Sequence, residues 1–322
     1  ISFFGGGTDS PNWYRENEGV VLSTTINKYC YISPRYLPPY FDYKYRLRYY
    51  NVEYVQRVSE IKHPVVRECL KFLGIDRGIE MVHTSDIPAK SGVGSSSAFT
   101  VGFLNSLYAL SGKMVTKRQL ARESIYMEQG VLEENIGALD QVATAFGGLN
   151  RISFGGTSEF YVQPITICKE KLELLQDHLM LFFTGISRNS SDIAAEQIKE
   201  IPNKRKELKA MMGMVDDSIN ILNGDINGIE DFGKLLHEAW EIKRKITSRI
   251  TTSTIDDIYK TARNEGALGG KILGAGGGGF MLLFVPPEKK ERIRKKLNKL
   301  VYVPFQFESL GTQTIHYAQQ DF

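Results

Sequence analysis

Cysteine is scarce: Cys30, Cys69 and Cys168 are the only three in 322 residues. They are odd in number and far apart. That rules out a disulfide framework and any metal-ligand spacing, and a reducing, cytoplasmic setting is expected. The five histidines (His63, His83, His178, His237, His316) are scattered and form no ligand cluster in the sequence. No apolar run approaches the length of a spanning helix, so no membrane partner is expected. A surplus of one charge is missing as well. The 40 Lys and Arg stand against 37 Asp and Glu, a net charge of +3, which gives no support for a nucleic-acid partner. No repeat or low-complexity segment is seen, and no signal peptide is expected. The chain opens inside an apolar, strand-like run, Ile1-Ser-Phe-Phe4, with no Met, so residues before Ile1 are expected to be missing.

Two nucleotide-binding signatures are lacking. Nothing reads G-x-x-x-x-G-K-[ST]. The pattern G-x-G-x-x-G occurs at Gly274–Gly279, but a strand-like run, Phe280-Met-Leu-Leu-Phe-Val285, follows it. A dinucleotide fold needs a helix there, with the pyrophosphate at its start, so a Rossmann dehydrogenase is excluded.

What is present is glycine in three clusters: Gly5-Gly-Gly-Thr-Asp9, the stretch Pro88-Ala-Lys-Ser-Gly-Val-Gly-Ser-Ser-Ser-Ala98, and Gly274-Ala-Gly-Gly-Gly-Gly279. The second lies between a short apolar stretch, Ile79-Glu-Met-Val82, and a helical segment, Phe99 to Leu110. Strand, glycine loop and helix start together bind phosphate: glycine lets the backbone approach, amides point at oxygens, and the helix dipole favours the anion. The serines offer hydroxyls for Mg²⁺ or for phosphate oxygens. A surface loop capping a helix explains the same residues. Carboxylates near the loop are Glu128, closing a helix, and Asp140, opening the next one, where the dipole alone would also favour an acid.

The rest of the pattern is α+β. Strands are expected at Gly19–Pro34, across Phe41–Val58, at Gly78–His83, Leu149–Ser153, Phe160–Val162 and Leu179–Phe183, on either side of the third glycine cluster, and at Val301–Phe307. Arg46 and Arg48 sit on the outer face of the second of these, either solvated or turned to a substrate phosphate. Helices are expected at His63–Leu73, Lys117–Gln129, Leu139–Phe146, through Leu208–Leu222, at Phe232–Ile246, Thr252–Asn264 and Pro286–Leu300. Met211–Met214 reads as core and the Lys243-Arg-Lys245 run as a solvated face. The length favours two domains, placed at 1–160 and 161–322.

Taken in order, Ser2-Phe-Phe-Gly-Gly-Gly-Thr-Asp9, Pro88-x-x-x-Gly-Val-Gly-Ser-Ser-Ser97 and Lys271-Ile-Leu-Gly-Ala-Gly-Gly-Gly-Gly279 resemble the three motifs of the GHMP kinases. The first motif, with Trp13-Tyr14 after it, and Phe182-Phe-Thr-Gly-Ile-Ser-Arg188 look like the D-glycero-D-manno-heptose 7-phosphate kinases, and the related fucokinase-type sugar kinases remain open. The resemblance implies a two-domain fold, ribosomal-S5-like then ferredoxin-like, and a cytoplasmic kinase acting on a small sugar phosphate. ATP and Mg²⁺ would be its cofactors, and nucleotide-heptose biosynthesis for surface polysaccharide its setting. It implies that Pro88, Lys90, Ser91, Gly92, Val93, Gly94, Ser95, Ser96 and Ser97 surround the ATP phosphates. Ser96 and Glu128 would hold Mg²⁺, and Asp140 would act on the sugar hydroxyl. Gly6, Gly7, Thr8, Asp9 and Arg188 would meet the sugar phosphate, and the turn of Gly274, Ala275, Gly276 and Gly277 would shape the site. Gln129 departs from the Arg that close relatives often carry after the metal-binding Glu. A kinase for another sugar, or a non-catalytic sugar or nucleotide sensor on the same fold, are the alternatives.

Overall fold

A computed structural model describes residues 1–89, 91–156, 159–186 and 190–318. Lys90 and Arg188 lie outside them. The strands are β1 (Ser2–Phe4), β2 (Gly19–Ser23), β3 (Thr25–Ile26), β4 (Cys30–Tyr36), β5 (Tyr45–Arg48), β6 (Val52–Val55), β7 (Ile79–Ser85), β8 (Asn150–Phe154), β9 (Phe160–Pro164), β10 (Leu179–Phe183), β11 (Gly269–Ile272), β12 (Phe280–Phe284), β13 (Val301–Tyr302) and β14 (Phe307–Glu308). The helices are α1 (Pro11–Tyr14), α2 (Pro64–Phe72), α3 (Ser95–Leu110), α4 (Lys117–Ile125), α5 (Leu139–Phe146), α6 (Lys169–Asp177), α7 (Ser190–Glu200), α8 (Arg205–Asn223), α9 (Ile229–Lys243), α10 (Ser253–Asn264) and α11 (Lys290–Lys296).

Two sheets are built before residue 165, in the orders β1-β2-β8-β9 and β4-β7-β5-β6. In β5 the period-two pattern holds: Tyr45 and Leu47 are buried and Arg48 is exposed. Arg46 is not free for a phosphate, because Glu80 on the neighbouring β7 pairs with it and with Arg35. α3 is buried on several sides, with Phe99, Val101, Phe103, Leu104 and Leu107 in the first core. It is a central helix rather than an amphipathic surface one.

The later sheet runs β11-β12-β10-β13, antiparallel throughout. Four helices lie between β10 and β11 and one between β12 and β13, so its strand order is ferredoxin-like, as the resemblance implied. Met211 and Met214 are buried, as the pattern required. The two halves share apolar contacts. Phe3 and Phe4 of β1 meet the ring of Phe232 of α9 edge-on, with centroids 5.3 and 5.0 Å apart.

Residue 160 opens β9, which pairs with β8 in the first group of sheets. Several expectations are corrected. Phe41–Val58 is a hairpin, β5 and β6, closed by a bond from Tyr49 N–H to the Asn51 carbonyl. Val301–Phe307 is not one strand. It breaks around Pro304, which lacks an N–H, and β14 crosses back to pair with β3. The helices α6 and α7 were not anticipated. Among the described residues no helix is long and apolar enough to cross a membrane.

Candidate active site

β7 leads into the second glycine cluster, and α3 starts within it, at Ser95. Gly94 precedes α3 in a left-handed conformation, φ 73°, which glycine adopts without strain. The first turn of this 16-residue helix carries no acid, so its free N–H groups and dipole face the loop unopposed. A Cβ on Gly94 would lie 3.0 Å from Cγ of Asp140. The Asp140 carboxyl therefore rests directly on the loop backbone. Ser95 is half-buried, Ser96 exposed and Ser97 buried. Pro88 is exposed and Val93 half-buried, and Ser91 is buried with an unpartnered Oγ.

Glu128 approaches the same helix from the other side. After α4 the chain widens to i→i+5 bonding over Tyr126–Val131, with Leu132 N–H donating to Met127 O at 2.9 Å. Such turns recur at functional sites, and the ordinary helix expected through Gln129 ends at Ile125. Glu128 Oε2 accepts from Ser97 Oγ at 2.8 Å, and Oε1 from Thr100 Oγ1 at 2.6 Å. Gln141 Nε2 donates to Oε2 as well. The hydroxyl beside Glu128 is thus Ser97, not Ser96. Ser97 and Thr100, three apart, share one helix face, whereas Ser96 is turned about 100° away from Ser97. Burial raises the Glu128 pKa to about 7, against the pull of these three donors. Gln129 knits the region together, accepting from Tyr14 OH and donating to Ile136 O, both at 3.1 Å.

The first glycine cluster reaches the site through Asp9. Its Oδ1 accepts from Gly7 N–H at 2.9 Å and its Oδ2 from Leu139 N–H at 3.4 Å, at the start of α5. Gly137 has no room for a side chain, since a Cβ there would fall 1.9 Å from Asp9 Oδ2. Thr8 is wholly buried: its hydroxyl donates to Gly5 O and accepts from Val20 N–H. Its role is to tie the turn to β2, and it does not reach the surface of the site. Gly6 and Gly7 are half-buried beside it. Asp140 is open to solvent on one side while protein crowds the others. That loss of water, with the charge of Asp9 adding to it, raises its pKa. Desolvation raises Asp9 too, though its backbone bonds and Lys243 oppose the shift.

The third cluster closes the arrangement. A Cβ on Gly274 would lie 2.7 Å from Gly92 O, and one on Gly279 2.1 Å from Ser91 O, so the two loops meet backbone to backbone. Lys243 donates to Gly274 O at 2.6 Å, and Gln197 donates to Ala275 O. Gly277 N–H bonds Ile250 O at 2.8 Å, and a Cβ on Gly276 would also strike that carbonyl. The expectation that Lys243 is solvated is therefore wrong. It is buried on α9, and desolvation lowers its pKa to about 8. Lys271, given no role by the sequence, is also buried and donates to Ser2 O and Phe3 O of β1 at 3.0 and 3.1 Å.

Three glycine loops and three acids, Asp9, Glu128 and Asp140, thus meet around one helix start, with Lys243 buried against the third loop. The family described as GHMP kinases N terminal domain matches residues 54–148, and that described as GHMP kinases C terminal matches residues 220–303. A D-glycero-alpha-D-manno-heptose 7-phosphate kinase of Campylobacter jejuni subsp. jejuni is 30% identical over 316 residues, which span 93% of this chain and 91% of that protein. The chain belongs to the GHMP kinases. A mevalonate kinase of Pyrococcus abyssi is 27% identical over 258 residues, 78% of this chain and 71% of that enzyme. Among solved structures, a D-glycero-D-manno-heptose 1-phosphate kinase from Bacteroides thetaiotaomicron matches with a TM-score of 0.75, at 23% identity over 97% of this chain and 94% of the other. The two chains share a fold.

In this GHMP kinase, Thr100, Gln141, Lys243 and Lys271 escaped the reading of the sequence. Thr100 was visible as the i+3 partner of Ser97, and Gln141 as the neighbour of Asp140. Nothing local marks Lys243 as inward-facing. Arg188 and Lys90 are outside the described residues.

Proposed function

We propose that this GHMP kinase transfers the γ-phosphoryl group of ATP to the anomeric hydroxyl of D-glycero-D-manno-heptose 7-phosphate, giving the 1,7-bisphosphate in nucleotide-heptose biosynthesis. The observation that carries the reading is the contact of the Asp140 carboxyl with Gly94 of the loop, while Glu128 meets the first turn of the same helix. An acid aimed at an acceptor and an acid suited to a metal are thereby held on two sides of one phosphate-binding helix start.

The donor set fits magnesium. Mg²⁺ takes hard oxygens and is commonly held by one or two carboxylates together with substrate phosphates. Here one carboxylate, Glu128, stands among the hydroxyls of Ser97 and Thr100. Glu128 and a hydroxyl of the first turn of α3 would hold it, with Ser97 the one in contact with Glu128. When bound, the metal draws charge from the phosphate oxygens. The loop and the amides of α3 bind the same oxygens, and Ser96 offers its exposed hydroxyl to them. Asp140 orients the sugar hydroxyl and receives its proton. Burial raises its pKa above the usual aspartate range, which makes it a stronger proton acceptor. The transition state of phosphoryl transfer is loose, so positioning and charge stabilisation outweigh base strength.

Arg188 is the proposed ligand of the 7-phosphate, because a guanidinium fork can take two phosphate oxygens. Arg46, held by Glu80, is withdrawn from that role. The 30% identical heptose 7-phosphate kinase supports the choice of sugar. The test is ADP release with heptose 7-phosphate, L-fucose, galactose and mevalonate. Heptose 7-phosphate is expected to give a kcat/KM at least ~100-fold above the others, since a missing phosphate leaves its site unpaired. A higher value for an unphosphorylated sugar contradicts the substrate, and no ADP with any of them favours a sensor.

A further inference from the structure

Gln141 follows Asp140 on α5 and is wholly buried. One end of its amide is engaged and the other is not. Nε2 donates to Glu128 Oε2, the oxygen that Ser97 also holds, whereas its own Oε1 is buried without a partner among the described residues. An unmatched buried acceptor destabilises a fold. Methionine or leucine would fill similar space without that defect, so packing alone gives no reason for an amide here.

The carboxylate gives one. Glu128 is completely buried, and its two oxygens are fixed by two hydroxyls of α3 and this single amide of α5. Without Gln141, both remaining donors would come from one helix face, three residues apart, and nothing on the side of α5 would hold the carboxylate plane. Gln141 also stands one residue after Asp140, about 100° round the helix. One short helix thus presents Asp140 to Gly94 and the amide to Glu128. A rotation of α5 that loosened one contact would disturb the other.

We infer that Gln141 is a positioning residue that sets the carboxylate of Glu128 for the metal and locks its placement to that of Asp140. The inference rests on the reading of Glu128 as the magnesium carboxylate. It is tested with Gln141→Met, which keeps the volume and removes the donor, and Gln141→Glu, which keeps the shape and puts an acceptor beside Glu128. Three quantities are read: the melting temperature, the Mg²⁺ concentration giving half-maximal binding of a non-hydrolysable ATP analogue by calorimetry, and kcat and KM for the sugar phosphate. For Gln141→Met the melting temperature is expected to hold or rise. The Mg²⁺ requirement should rise roughly tenfold, as when an outer partner of a metal ligand is lost. Turnover should fall by about as much while the sugar KM stays within about twofold. Gln141→Glu should raise the Mg²⁺ requirement further. Wild-type Mg²⁺ dependence in both variants overturns the inference, whatever their stability. So does a Gln141→Met protein that loses stability while its Mg²⁺ requirement stays unchanged. Absence of Mg²⁺-dependent binding in the wild type would instead overturn the functional reading on which the inference rests.

Discussion

Glu128 and Asp140 press on the same helix start, yet the fold treats them in opposite ways. Glu128 is sealed, with every oxygen engaged by Ser97, Thr100 or Gln141. Asp140 keeps one side open to solvent, and among the described residues no hydrogen-bond donor engages its carboxyl. Loss of water raises both pKa values. The same cause therefore serves two ends: a carboxylate fixed by neutral donors is a preset ligand, while an open one can exchange a proton with whatever enters.

The comparison is broken most severely at Asp140. Asp140→Asn is expected to lower kcat by ~10³-fold, within the usual worth of a general base, and to leave the calorimetric Kd for nucleotide within about twofold. A kcat near the wild-type value contradicts the assignment. The contact beneath it offers a finer cut. Gly94→Ala forces a side chain into a left-handed backbone and against the Asp140 carboxyl. The melting temperature should drop by about 2–6 °C and kcat should fall with it. Gly74 is the control: φ is +64° there too, but nothing lies within 4 Å of an added Cβ. Gly74→Ala should cost similar stability and leave kcat unchanged. Equal kcat losses in the two variants would mean that the Asp140 contact carries nothing.

A further effect is expected on stability against pH. The Glu128 pKa is raised in the folded state from 4.5 to about 7. Between those values the unfolded chain has released the proton and the folded one has not. Metal-free stability should therefore fall as pH rises through that window, and the loss should be complete above it. Glu128→Gln should flatten this slope in urea titrations from pH 4.5 to 8. An unchanged slope would place its origin elsewhere.

Much of this was legible in the sequence. The bounds of α5 and β10 follow from apolar spacing, and the three glycine clusters announce close backbone approach, which the contacts of Gly92 with Gly274 and of Ser91 with Gly279 bear out. What sequence could not give is direction. Lys243 stands beside Arg244 and Lys245 in a run that looks solvated, yet only its side chain turns inward to the third glycine turn. Ser96 and Ser97 are chemically identical neighbours, and one step along a helix decides which meets Glu128. Gln141 is marked only by standing next to Asp140, which does not say where its amide points. Its partner is 13 residues away, across a widened turn that helical periodicity does not foresee.

The most direct test of the division of labour is calorimetric titration of a non-hydrolysable ATP analogue into wild type, Asp140→Asn and Glu128→Gln, each with Mg²⁺ and with EDTA. The expected result is Mg²⁺-strengthened binding in wild type and Asp140→Asn, and binding in Glu128→Gln that no longer responds to Mg²⁺. Full Mg²⁺ response in Glu128→Gln, or its loss in Asp140→Asn, would contradict the separate roles assigned to the sealed acid and the open one.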